Sequence, residues 1–314
     1  MLSFFMVFFN LFKRNSKYLV TNVLALYPKG NKRNDSIMKT KAILVFSLVF
    51  SMFLASAQTS FKVEVKGKGQ PVLLFPGFGC PGEVWSDVVA ELSKNYQCHV
   101  FTFAGFGNVA PIEGPWLTTI HQEVIAYVKK NKLKKATLVG HSLGGTLSLS
   151  MAAAEPDLFG QVIAVDALPC SAALMIPNYK GEQVAYDNPR SKMMLQMDSA
   201  SFAAMNQQTV PYMCKNVEKQ KLITQWMNQT DRKTYVYGYI DMLNLDLREA
   251  IAKIKVPVIV LGAANPDKAT VEKTYQAQYA KLPGTVMMYA ENSAHFIMFD
   301  QPQWLMEKLK ENLK

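Results

Sequence analysis

Ser142 lies in Gly140-His141-Ser142-Leu143-Gly144-Gly145, directly after the apolar run Ala136-Thr137-Leu138-Val139. A serine with glycine two residues away on either side, between a short strand and a small-residue helix over 146–154, has the pattern of a nucleophile elbow. The glycines permit a tight turn that exposes the hydroxyl, and the helix N-terminus behind it favours developing negative charge. The chemistry this points to is attack of the serine oxygen on a carbonyl. At neutral pH such a hydroxyl needs a base. Of the four histidines, His295 is the candidate, because it follows the last strand-like run, 285–289, on the same sheet edge. His99 begins a strand, His121 falls on a helix face and His141 is part of the elbow, so structural roles are expected for these three.

The elements needed to position such groups are present. An alternating run, 61–65, predicts a half-exposed strand. The continuous apolar runs 71–75, 99–103, 136–139, 162–166, 256–261 and 285–289 predict further strands. Continuous apolar strands are those buried on both faces. Helices are expected over 84–92, 119–131 and 301–313, the last with Pro302 near its first turn. Strands alternating with helices predict an α/β fold with a mainly parallel sheet covered on both faces. The stretch 171–246 breaks the alternation: it has helical patterns and no buried strand, and predicts a helical lid. It carries eight methionines, among them Met175, Met193, Met227 and Met242. Two readings fit them: packing of the lid onto the core, or an adaptable pocket for apolar substrates.

Residues 1–57 read as a leader. Lys39 and Lys41 precede an apolar stretch too short to span a bilayer, and Ala55-Ser56-Ala57 follows as a cleavage signal. A signal peptide over 38–57, cleaved to leave Gln58, predicts an exported, periplasmic or secreted protein. Membrane association is expected only through an uncleaved leader. For residues 1–37 two readings stand: translation beginning at Met38, or a second signal in the apolar 2–12 segment. The leader holds eight basic residues and one acid, Asp35; without it, 34 basic and 24 acidic residues become 26 and 23, a net charge of +3. That balance predicts no nucleic-acid partner. Cys80, Cys98, Cys170 and Cys214 lack metal-ligand spacing. Cys98 reads as a buried thiol, and Cys170 with Cys214 is a possible pair in an exported protein.

Three motifs together resemble the α/β-hydrolase superfamily across nearly all of 61–314. They are Pro76-Gly77-Phe78-Gly79, the elbow, and Asn292-Ser293-Ala294-His295-Phe296-Ile297-Met298-Phe299-Asp300-Gln301-Pro302, which is similar to the family's histidine loop. The resemblance implies an α/β-hydrolase fold, with Ser142 as nucleophile and His295 as base. It also implies an oxyanion hole from the amides of Phe78 and Leu143. It leaves the acid open. The usual position, after the seventh strand, holds Asn265; Asp267 fits a loop shifted by two residues, and Asp166 ends the strand expected beside the elbow strand. Phe78 would wall the pocket, with Trp85, Phe106 and Trp116 as further candidates. The expected activity is hydrolysis of a small carboxylic ester with an apolar part, through a Ser-His-Asp triad and an acyl-enzyme, with no metal or organic cofactor. Alternatives are amide or carbon–carbon bond hydrolysis or perhydrolysis on the same residues, or a non-catalytic binding protein of the same fold if neither Asp reaches His295.

Overall fold

The computed structural model describes residues 59–313, so the leader readings over 1–57 lie outside it. Seven strands form one sheet: β1 (Phe61–Lys66), β2 (Gln70–Phe75), β3 (Tyr96–Phe103), β4 (Thr137–His141), β5 (Gln161–Val165), β6 (Val258–Ala263) and β7 (Val286–Ala290). Their order is β1-β3-β2-β4-β5-β6-β7. β1 runs antiparallel to β3, and the other pairs are parallel. Every residue of β4, β5 and β6 is buried, as their unbroken apolar runs require, whereas the edge strand β1 is mostly exposed.

Alternate strand residues face opposite layers. Leu73, Leu138, Val162 and Val260 meet helices α2 (Trp116–Lys130) and α3 (Leu143–Ala154). Val72, Val139, Ile163 and Leu261 meet α1 (Ser86–Leu92) and the C-terminal helix Pro302–Asn312. The chain leaves β2 toward one edge and β4 toward the other, so the sheet order reverses between them. In an open α/β sheet the carboxyl ends at such a reversal frame the binding crevice. The loop carrying Phe78 and the elbow carrying Ser142 stand at those two ends.

Between β5 and β6 lie five α-helices, a short 3-10 turn at Ala250–Lys253 and, among the described residues, no strand. The α-helices are α4 (Ala172–Met175), α5 (Pro189–Gln196), α6 (Ser199–Met213), α7 (Val217–Asn228) and α8 (Arg232–Leu243). The last four begin at Asn188, Asp198, Asn216 and Asp231, each accepting the backbone N–H three residues on. Such caps contribute about 1 kcal/mol each and explain why this methionine-rich stretch is helical. The methionines divide: Met194, Met227 and Met242 are buried, while Met175 and Met193 are exposed.

Two sequence expectations are corrected. All four cysteines are free and buried, and Cys170 and Cys214 pack into separate clusters, so they form no pair. α2 starts at Trp116 rather than 119, because Trp116 and Leu117 are drawn into the core. The closing helix, Pro302–Asn312, falls within the expected 301–313 with proline in its first turn, and a further short helix, Ile297–Asp300, precedes it.

Candidate active site

Ser142 has φ 52° and ψ −121°, a left-handed conformation that a non-glycine residue holds only when its surroundings enforce it. Two constraints do so here. Its amide donates to Val165 O at 2.9 Å, and its carbonyl accepts Gly145 N and Thr146 N at 2.9 and 3.0 Å. The elbow glycines are needed for space: a Cβ on Gly140 would stand 2.2 Å from the Gly144 carbonyl carbon, and one on Gly144 2.5 Å from Phe75 O. That second approach seats the N-terminus of α3 against the exit of β2. Ser142 is partly exposed at this junction.

His295 comes from the loop between β7 and the helix α10 (Ile297–Asp300). Its Nδ1 lies 2.6 Å from Asp166 Oδ2. Asp166, at φ 44° just past β5, also accepts Ala263 N and the Tyr275 hydroxyl, both at 2.8 Å on Oδ1. Burial alone raises the Asp166 pKa. The bond from His295, its charge, the Ala263 amide and Tyr275 outweigh that and hold it below the ordinary carboxylate value. Burial and the adjacent carboxylate push the Tyr275 phenol well up, so it stays a donor. With Nδ1–H donated to Asp166, Nε2 of His295 is the nitrogen that carries the basic lone pair.

Asp267, the alternative acid, does not meet His295. It is the cap of the helix α9 (Lys268–Gln278), accepting Thr270 N and Oγ1, each at 2.9 Å. The reason is register: Val165 pairs with Leu261 on one side and His141 on the other, so the end of β5 is flanked by the elbow and by β6. Tyr275 was not found by sequence reasoning. It lies on α9, 109 positions from Asp166, and carries no local signal.

His141 is fully buried, with its ring centroid 4.5 Å from that of His295 and its Nε2 3.0 Å from the His295 carbonyl oxygen. That carbonyl can only accept, so Nε2 carries the proton. Burial first, then the nearby His295, lower its pKa to about 3. It is therefore a neutral brace under the loop. His99 of β3 bonds Tyr127 of α2 and Gln97 of its own strand, and His121 lies on α2, both outside this cluster.

The amides of Phe78 and Leu143 have no acceptor among the described residues. A Cβ on Gly77 would stand 3.3 Å from Ser142 Cβ, which puts the Phe78 loop against the serine. Two free amides beside a serine oxygen are suited to a developing oxyanion. The Phe78 ring meets Phe106, Trp116, Tyr235 and Tyr239 edge-on, with centroids 5.2–6.1 Å apart. Gly238 lets α8 approach: a Cβ there would lie 3.0 Å from the Trp116 ring. Trp85 takes no part in this wall; it is fully buried in the layer beneath α1.

A family model described as "Alpha/beta hydrolase family" matches residues 72–308. The pimeloyl-[acyl-carrier protein] methyl ester esterase of Aliivibrio fischeri (strain MJ11) is 25% identical over 201 residues, 64% of this chain and 77% of its own length. Among solved structures, the esterase EaEST from Exiguobacterium antarcticum superposes with a TM-score of 0.67 at 17% identity, covering 80% of this chain and 94% of that one. The enol-lactonase from Burkholderia xenovorans LB400 does so with 0.64 at 18%, covering 80% and 95%. At these identities the two structures establish the fold.

Proposed function

Because the chain belongs to the alpha/beta hydrolase family, we propose that it hydrolyses small carboxylic esters through Ser142, His295 and Asp166. It is a serine hydrolase. The observation that carries the triad reading is the 2.6 Å bond between His295 Nδ1 and Asp166, beside a serine held at φ 52°.

In this reading His295 Nε2 takes the Ser142 proton as Oγ attacks the ester carbonyl. Asp166 stabilises the imidazolium that forms. The tetrahedral oxyanion accepts the amides of Phe78 and Leu143. Collapse expels the alcohol, which receives the proton from His295. Water, activated by the same imidazole, then frees the acid. The rings around Phe78 suit an apolar group on the ester. The esterase relatives support ester chemistry. The binding-protein alternative was conditional on neither Asp reaching His295, and Asp166 bonds it.

The test is a panel of p-nitrophenyl esters of increasing chain length with the 58–314 protein and Ser142→Ala, alongside fluorophosphonate labelling. The expected result is hydrolysis with an adduct on Ser142, and a loss of about 10³-fold or more in the variant. Equal rates for the two proteins would sink the proposal. Export is proposed on the leader alone: N-terminal sequencing should begin at Gln58, and any upstream peptide in the mature protein counts against cleavage.

A further inference from the structure

We infer that Asp300 is a positioning residue that sets His295 in place and fastens the histidine loop to the helical insertion. The inference rests on the reading of His295 as the base.

The backbone around His295 is held at three consecutive residues. Ala294 N donates to Asp300 Oδ2 at 2.8 Å. His295 O accepts from His141. Phe296 N donates to Met213 O at 3.0 Å. Met213 is the last residue of α6, so one of these supports is itself part of the insertion. The other oxygen of Asp300 reaches the same place: Oδ1 accepts Lys215 N at 2.9 Å and Asn216 N at 3.0 Å, with the Cys214 thiol 3.4 Å away. Asn216 Nδ2 in turn lies 3.5 Å from Phe299 O.

One carboxylate thus satisfies amides on both sides of a joint, the turn between α6 and α7 and the loop carrying the base. Hydrogen bonds to an ionised acceptor are short and directional, so the joint transmits displacement rather than absorbing it. The insertion also touches the aromatic wall: Phe202 of α6 packs on Tyr235 at 4.9 Å, and Tyr235 on Phe78 at 5.3 Å. Movement of α6 by a group lodged against those rings would reach Met213 O and Asp300, and through them Ala294 and Phe296. A base misplaced by about 1 Å costs on the order of 10²-fold in rate. Asp300 therefore links occupancy of the aromatic wall to the placement of His295.

The test uses Asp300→Asn and Asp300→Ala in the 58–314 protein. Asparagine has one acceptor oxygen, so it can serve the loop or the turn but not both. In folded variants, checked by near-UV circular dichroism, kcat for p-nitrophenyl butyrate should fall about 10- to 100-fold, with KM changed less than about threefold. Independently of turnover, amide exchange should accelerate together at Ala294, Phe296, Lys215 and Asn216 in the alanine variant, and the Nδ1 proton of His295 should shift in NMR. A folded Asp300→Asn that keeps kcat within about twofold overturns the inference, as does faster exchange confined to one side. If the wild-type protein hydrolyses no ester, the proposed function fails while the exchange and NMR readouts still decide the role of Asp300.

Discussion

At the strand ends, each group of the proposed triad is held by polar bonds of fixed direction. Asp166 accepts from His295, Ala263 and Tyr275, and Ser142 is locked between Val165 and the first turn of α3. Across the crevice, the insertion over 171–246 presents rings. Tyr235 and Tyr239 meet Phe78 edge-on, and α8 closes in through Gly238. The two regions face one site but are ordered by different forces. Directional bonds fix atoms to the tolerance that proton transfer demands. Apolar contact is non-directional and accepts changes of shape, so the ring wall tolerates variation that the polar bonds beneath it, and the Asp300 joint to α6, do not.

The largest expected effect lies at the strand ends. Asp166→Asn should lower kcat about 10³- to 10⁴-fold, because an amide cannot stabilise the imidazolium and favours the wrong tautomer. A loss below about tenfold would remove Asp166 from the triad. A smaller effect is expected at the insertion. Tyr235→Ala should lower kcat/KM by about tenfold for long-chain p-nitrophenyl esters, mostly through KM, and less for the acetate. If kcat for the acetate fell as far, the insertion would be part of the chemistry and the contrast would break.

A third measurement separates the regions by pH. His141 has its pKa lowered to about 3 against an ordinary 6.5. Between those values the unfolded chain binds the proton that the folded protein refuses, so stability falls as pH drops below about 6.5, by up to about 1.4 kcal/mol per pH unit. Urea midpoints at pH 7, 6 and 5 should show that slope, and His141→Gln should flatten it. An unchanged slope would mean that the ring is not held neutral. Asp166, whose value is also lowered, acts in the same sense in a more acid range: its contribution is present above the ordinary carboxylate value and is lost as pH falls through its lowered one. The smallest effect belongs to Asp267→Asn. Turnover should be unchanged and stability altered by well under about 1 kcal/mol, since asparagine caps a helix nearly as well as aspartate.

Ser142 and His295 were legible because each sits in a short pattern whose meaning is local: glycine spacing at the elbow, and a histidine just past the last strand. The α/β alternation was legible for the same reason, in the unbroken apolar runs that became β4, β5 and β6. The acid was not. Asp166 and Asp267 both follow strands, and only the pairing of β5 with β4 and β6 puts one of them beside His295. Tyr275 and Asp300 were invisible as partners, because their bonds to Asp166 and to Lys215 and Asn216 span 109, 85 and 84 positions. The insertion was half legible. Its helices announced themselves, and Asn188, Asp198, Asn216 and Asp231 were available as start signals. Its methionines left packing and pocket both open; Met194, Met227 and Met242 are buried as packing requires, and the rings that meet Phe78 are tyrosine, tryptophan and phenylalanine.

By itself the sequence determined which groups can react and which runs become strands and helices, since both depend on residues a few positions apart. Only the tertiary structure decided which carboxylate bonds His295, which rings surround Phe78 and how the insertion is tied to the histidine loop. Those choices rest on strand order and register, which bring together side chains and amides from distant parts of the chain. Water competes for each such bond until the sheet and its helices have closed around it.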